Sequence, residues 1–137
     1  FSDFKYPGIP EINLKTIAAA DFEVNGLTIT PIQVMHHKMP VLGFRIHDFT
    51  YITDANYIAP EEKEKIRGSK VLVLNALRRE KHISHFTLDE AIGLGRELEV
   101  PRLYLTHISH QLGLHEEVSE ELPPGAALAY DGLSLEI

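Results

Sequence analysis

The chain has 137 residues, which is enough for one domain with a substantial apolar core. Its hydrophobic share of 44% and charged share of 24% are ordinary for a globular protein. The formal net charge of −7 argues against a long nucleic acid or a membrane surface as a partner held by bulk electrostatics. There is no cysteine, so any zinc-like site must use histidine and carboxylate side chains.

The first residues of the sequence and its hydropathy bear on where in the cell the protein is found. No apolar run approaches the roughly 20 residues that a membrane-spanning helix needs. The first ten residues, with Pro7, Gly8 and Pro10, resemble neither a signal peptide nor the usual start of a protein, and they read as an internal loop. We therefore expect a cytoplasmic protein without a membrane partner, whose first residue lies within a longer sequence.

The first half of the chain is rich in strand patterns. Apolar alternation predicts strands over residues 12–17, 22–24, 27–34, 41–46 and 50–53. Asn25-Gly26 predicts a tight hairpin turn, and a second hairpin turn is predicted around Asp48-Phe49, with His47 exposed beside it.

Helix and strand patterns alternate in the second half. Pro60 in a first turn and Gly68 at its end predict a short polar helix over 60–67. Thr87 and Glu90 form a capping-box pattern, which predicts a helix as far as about Leu98. The other predicted elements are a buried strand over 71–74, a strand over 103–106, a helix over 115–122 and a closing hairpin of 127–130 with 133–137. Hairpins followed by strand–helix–strand units predict an α/β domain with a mixed sheet.

Three predicted strands are followed by side chains that can bind a metal ion. His36 and His37 follow one strand, Asp54 follows another and His107 follows a third. This pattern presents ligands along one edge of a sheet and indicates a hydrolytic metal site. Local roles remain as alternatives: a polar loop for the His pair, a turn or helix cap for Asp54, and a hydrogen-bonded loop histidine for His107.

His82 and His85 lie in the loop between the buried strand and the capped helix. A histidine at the position of His85 suits proton transfer, because imidazole gains or loses a proton near neutral pH. Local packing ahead of the helix is the alternative.

Taken together and in order, several segments resemble the C-terminal half of a metallo-β-lactamase-fold hydrolase. The resemblance is strongest to the cyclic phosphodiesterase of the phosphonate-degradation (carbon–phosphorus lyase) pathway and its bacterial relatives, and it runs from about Phe4 to Ile137. It implies half of a four-layer αββα sandwich, a mixed sheet with helices on one face. The segments that carry it are Met35-His36-His37-Lys38, Tyr51-Ile52-Thr53-Asp54-Ala55, Asn75-Ala76-Leu77-Arg78, His82-Ile83-Ser84-His85-Phe86 and Leu105-Thr106-His107-Ile108-Ser109-His110.

The resemblance implies two divalent ions, Zn²⁺ or Mn²⁺. It places His36 on the first ion, Asp54 between the two as a catalytic and bridging carboxylate, and His107 on the second. Neutral imidazole and carboxylate suit these ions, and a carboxylate can span two ions about 3.5–4 Å apart. His85 matches the proton donor to the leaving oxygen, and Arg78 is expected near the substrate phosphate.

Two departures from the family pattern stand out. A small residue is more usual at the position of His37, so the choice between His36 and His37 as ligand stays open. The family's His-x-His-x-Asp-His motif, which supplies the remaining ligands, has no counterpart in this sequence. We therefore predict that residues 1–137 are the C-terminal part of a single domain, with a partial or empty metal site and no activity alone.

The complete protein is expected to be a metal-dependent phosphodiesterase that acts on a small, for example cyclic, phosphodiester rather than on tRNA. Two alternatives stay open: a non-catalytic, self-associating fold fragment, and a lactone or thioester hydrolase on the same fold. Half a sandwich would expose an apolar sheet face, so the missing N-terminal half or further copies of the chain are the expected protein partners.

Overall fold

The computed structural model of the protein describes residues 20–109 and 112–136. The predicted loop over 1–10 and strand over 12–17 lie outside these residues. The elements in chain order are β1 (Phe22–Val24), β2 (Leu27–His36), β3 (Met39–Ile46), β4 (Phe49–Ile52), α1 (Pro60–Ile66), β5 (Val71–Asn75), α2 (Leu88–Glu97), β6 (Arg102–Thr106), α3 (His115–Glu121) and β7 (Ala126–Leu128).

The strands form one seven-stranded sheet in which spatial order follows chain order. Strands β1 to β4 pair antiparallel as successive hairpins, and β4 to β7 pair parallel. The parallel pairs need crossover connections, and the helices supply them. The predicted α/β class with a mixed sheet is confirmed.

The three helices cover the same face of the sheet. Ile66 of α1, Leu94 of α2 and Val118 of α3 belong to one buried cluster with the strand residues Leu72 and Leu105. Alternate strand residues point to one face, so this face holds the core.

Local sequence signals account for most element ends. Asn25 and Gly26 form the first hairpin turn with φ of 50° and 81°. The second turn consists of His47 and Asp48, one residue earlier than predicted, since β4 already begins at Phe49. His47 takes the left-handed conformation at φ 52°, which histidine tolerates better than a bulky apolar residue such as Phe49 would.

The capping box of α2 forms as predicted. The Thr87 hydroxyl accepts a hydrogen bond from the Glu90 N–H at 3.2 Å, and the Glu90 carboxylate accepts one from the Thr87 N–H at 2.9 Å. These contacts satisfy two backbone donors that the first turn of a helix leaves free.

The predicted closing hairpin is wrong. Its first part is β7, but β7 pairs parallel with β6, and residues 129–136 form no strand. The predicted turn does form, with Gly132 at φ 89° and the Leu133 N–H bonded to the Tyr130 carbonyl. The residues after this turn do not pair with β7, and they form an irregular segment.

That irregular segment partly covers the second face of the sheet. Val71 and Val73 alternate with the core residues of β5 and are only 7% and 6% exposed. Tyr51 lies beside Val73 in the register and is 46% exposed. Half a sandwich was expected to leave this face exposed, whereas Val71 and Val73 are buried on it. A shallow cavity between the sheet and the segment is lined by Phe49, Tyr51, Val73, Thr106, Ala129, Tyr130, Leu133 and Leu135.

Among the described residues, no helix combines the length and apolar character needed to cross a membrane.

Candidate metal and catalytic site

The strand directions bring the predicted ligands to one edge of the sheet. Because β2 and β4 are both antiparallel to β3, they run the same way, and β5 and β6 run parallel to β4. The carboxyl ends of these four strands therefore share an edge. His36 is the last residue of β2, and Asp54 and His107 follow β4 and β6 closely. Asp54 and His107 both adopt positive φ, 54° and 58°, which turns the chain sharply at the strand end.

The structure distinguishes the adjacent histidines. The Nε2 atom of His36 is buried and, among the described residues, has no hydrogen-bond partner. His37 is exposed at φ 58°, and its backbone N–H donates to the Asn56 side chain at 2.8 Å. The His36 ring contacts that of His85 and offers a nitrogen within 4.8 Å of the Asp54 carboxylate.

Asp54 lies at the centre of the cluster. His36, Asp54 and His85 each offer a ligand atom within 4.8 Å of the other two. The Asp54 Oδ1 atom is 3.2 Å from His85 Nε2 and 3.6 Å from His107 Nε2. The His85 ring packs edge-on against His36 and is stacked on His107, with centroid distances of 4.8 Å in both cases.

This donor set fits a divalent cation. Buried polar atoms are rarely left without a partner, and coordination would satisfy His36 Nε2. Imidazole nitrogens around a carboxylate are ligands typical of zinc and manganese sites. His85 is part of the cluster as well, although the resemblance gives it a role in proton transfer.

Burial lowers the pKa of His85. The hydrogen bond to Asp54 raises this pKa, while the neighbouring His107 and His36 lower it further, and the balance is a pKa below the ordinary value. The His85 side chain is only 10% exposed, so the neutral ring is favoured in this environment.

Asn75 holds the loop that carries Asp54. Its side chain is fully buried, donates to the Ala55 carbonyl at 2.8 Å and accepts from the Ala55 N–H at 2.9 Å. The Ala55 carbonyl also accepts from the Phe86 N–H, which links the Asp54 loop to the loop of His85. The amide thus fixes the residue after Asp54. Our sequence reasoning gave Asn75 no role, although a polar residue ending an apolar strand was the available signal.

Arg78 contacts its own loop. Its guanidinium donates to the carbonyls of Glu80 at 3.3 Å and Lys81 at 3.0 Å. These bonds shape the segment that precedes His85, and a contact with substrate phosphate stays a prediction.

Comparison with known proteins identifies the superfamily. The profile of the beta-lactamase superfamily domain matches residues 2–108. The chain belongs to this superfamily. A crystal structure of a new diphosphatase from the PhnP family superposes with a TM-score of 0.85 at 37% identity, covering 88% of this chain and 47% of that one. The metallo-β-lactamase fold protein YhfI from Bacillus subtilis superposes with a TM-score of 0.69 at 20% identity, covering 82% of this chain and 51% of that one.

One curated relative is named for an activity other than that of the diphosphatase. An octanoyltransferase from Porphyromonas gingivalis (strain ATCC BAA-308 / W83) is 38% identical over 130 residues, which are 93% of this chain and 26% of that protein. The chain therefore spans about half the length of each of these two solved structures and about a quarter of the length of the curated relative. The resemblance to the metallo-β-lactamase fold is confirmed, and the neighbours support a hydrolase.

Proposed function

We propose that the chain is the C-terminal part of a metal-dependent hydrolase that cleaves a small phosphodiester, cyclic phosphodiesters included. The observation that carries the proposal is the convergence of His36, His85 and His107 on the Asp54 carboxylate. The 37% identity to a diphosphatase supports phosphorus as the site of attack. In diesters and diphosphates alike, hydrolysis breaks a phosphorus–oxygen bond, and a proton donor can stabilise the leaving oxygen.

In this proposal the chain supplies one side of a two-ion centre. His36 would hold the first ion, Asp54 would lie between the ions and His107 would hold the second, with further ligands from the N-terminal half of the domain. When bound, divalent ions supply charge neutralisation for the phosphate and a nucleophile at neutral pH. The acidic net charge of −7 favours a small substrate over a long RNA.

His85 acts as the proton donor in the proposed reaction. Its Nε2 faces the Asp54 carboxylate at 3.2 Å, and its ring is held between His36 and His107. As the bond from phosphorus to the leaving oxygen breaks, the ring protonated on both nitrogens gives its Nε2 proton to that oxygen and keeps the proton on Nδ1. The lowered pKa makes this protonated ring a stronger acid. The carboxylate fixes the direction of Nε2 before the transfer.

A second candidate is hydrolysis of a thioester or lactone. The relative named octanoyltransferase favours it, since that name describes transfer of an acyl group. The match covers only 26% of that protein, whereas it covers 47% of the diphosphatase, so the phosphodiester assignment has the stronger support. A non-catalytic, self-associating fragment is the third alternative.

The test uses the full-length protein loaded with Mn²⁺ or Zn²⁺. We expect turnover of an aryl or cyclic phosphodiester and none of a thioester or lactone, and we expect His85→Ala to lower that turnover by about 10²–10⁴ with bound metal unchanged. His47→Ala, an exposed hairpin histidine at the opposite sheet edge, is the matched control. Turnover of the acyl substrates alone would support the second candidate.

The metal content of the His85 variant separates its roles. Loss of bound metal would make His85 a ligand, as its place in the cluster allows. Unchanged turnover with unchanged metal would make it structural, and absence of turnover on every substrate would support the non-catalytic alternative.

A further inference from the structure

The Ser84 hydroxyl lies between two histidine rings behind the site. Its Oγ is 3.0 Å from His85 Nδ1 and 3.1 Å from His82 Nδ1. The Ser84 backbone N–H also donates to His82 Nδ1 at 3.1 Å. The centroids of the His82 and His85 rings lie 5.2 Å apart at an angle of 57°, and the hydroxyl bridges their Nδ1 atoms.

The hydrogen-bond partners define which nitrogen of His85 carries the proton in the neutral ring. A carboxylate oxygen only accepts, so the contact between Asp54 Oδ1 and His85 Nε2 requires a proton on Nε2. The other nitrogen, Nδ1, is then an acceptor and needs a donor. The Ser84 hydroxyl is within hydrogen-bond distance of it.

His82 does not compete for the same hydroxyl proton. An unprotonated ring nitrogen has one lone pair in the ring plane, and that of His82 Nδ1 is engaged by the Ser84 N–H. This contact also fixes the backbone of Ser84. The hydroxyl proton is therefore directed to His85.

We propose that Ser84 is a positioning residue that, by donating to His85 Nδ1, holds the neutral His85 ring in the tautomer with Nε2 protonated and aimed at Asp54. Nε2 then carries a proton in both forms of the ring. When His85 is protonated on both nitrogens, Nδ1 donates to the Ser84 hydroxyl oxygen. In that form Nε2 can give its proton to the leaving oxygen while Nδ1 keeps its own. Without the hydroxyl, Nδ1 of a side chain that is only 10% exposed would lose this donor, and the opposite tautomer would become competitive. The catalytic consequence rests on the proposed function, whereas the tautomer does not.

The direct test is a long-range ¹H–¹⁵N correlation spectrum of the histidine rings in the metal-free 137-residue chain at mildly alkaline pH. We expect His85 to show a protonated Nε2 and an acceptor Nδ1, and we expect Ser84→Ala to shift part of the population to the other tautomer. Ser84→Thr keeps the hydroxyl and should restore the wild-type pattern. Ser119→Ala, an exposed serine of α3, controls for loss of a serine hydroxyl.

A wild-type ring protonated on Nδ1, or a tautomer that does not change in Ser84→Ala, would overturn the proposal. If Ser84→Ala does not fold, Ser84→Cys carries the same expectation, because a thiol is a weaker donor of similar shape. In the full-length protein, Ser84→Ala should lower kcat about 10–100-fold with KM and bound metal unchanged. The predicted tautomer without any phosphodiesterase activity would refute the proposed function and leave the positioning role intact.

Discussion

At the scale of single residues, the position of each candidate ligand was predictable and its orientation was not. A strand-end His or Asp can be read from the chain, because the strand pattern and the end of the apolar run are local. The contact of His85 with Asp54 joins residues 31 positions apart. It depends on how two loops pack, and the Asn75 amide and the Phe86 N–H determine that through Ala55.

The His36–His37 pair provides a matched test of the metal site. His36→Ala removes the buried Nε2 from the cluster, whereas His37→Ala removes an exposed ring. We expect His36→Ala to weaken Zn²⁺ binding to the 137-residue chain by tenfold or more, at least as much as loss of an outer-shell partner, which costs about 10–100-fold. Titration calorimetry with Zn²⁺ measures it, and His37→Ala should bind as the wild type does. The reverse order would assign the ligand role to His37.

At the scale of elements, local chemistry predicted the capping box of α2 and the turns at Asn25-Gly26 and Asp131-Gly132. It did not predict the conformation of the segment after Asp131-Gly132. A turn signal does not say whether the residues beyond the turn pair with the strand before it. The edge of β6 is instead taken by β7 in parallel, with Leu105 beside Leu128. Parallel pairing is non-local, and a sequence pattern for hairpins cannot reveal it.

The capping box of α2 makes stability depend on pH. Partial burial raises the pKa of Glu90, but hydrogen bonds from Lys81 and Thr87 outweigh burial, and the pKa is lowered from its ordinary value of 4.5. A group with a lowered folded-state pKa stabilises the fold above its unfolded pKa and loses that contribution as pH falls toward the folded one. The free energy of unfolding should therefore fall as pH drops below about 4.5.

Glu90→Gln should weaken this dependence. The amide oxygen can still accept from the Thr87 N–H, so the cap survives while the titrating charge is lost. Urea unfolding of the chain followed by circular dichroism should give a difference between wild type and variant that is largest above about pH 4.5 and shrinks below it. Glu117→Gln, in the first turn of α3, removes one carboxylate from a helix without a side-chain cap. An equal pH effect of both substitutions would contradict the assignment to Glu90.

At the scale of the whole molecule, the two faces of the sheet are covered unequally. The helices cover one face completely around Leu72 and Leu105, and the segment after β7 covers only part of the other. Tyr51 and Tyr130 remain 46% and 60% exposed at the second face. Burying a further few hundred Å² there would contribute on the order of 10 kcal/mol at roughly 25 cal/mol per Å². The chain spans 47% of the diphosphatase it resembles, and we expect a partner to cover this face.

We therefore predict that the 137-residue chain self-associates through this face at micromolar concentration, as a symmetric dimer or larger oligomer. Tyr51→Lys places a charge on the face and should shift the chain toward monomer in sedimentation velocity. Tyr57→Lys is the matched control, since Tyr57 is 48% exposed but lies at the groove beside Lys63 and Glu90, on the helical side. A well-folded wild-type monomer at tens of micromolar would contradict the prediction and would mean that the segment after β7 covers the sheet sufficiently. Oligomers unaffected by Tyr51→Lys would place the contact elsewhere on the molecule.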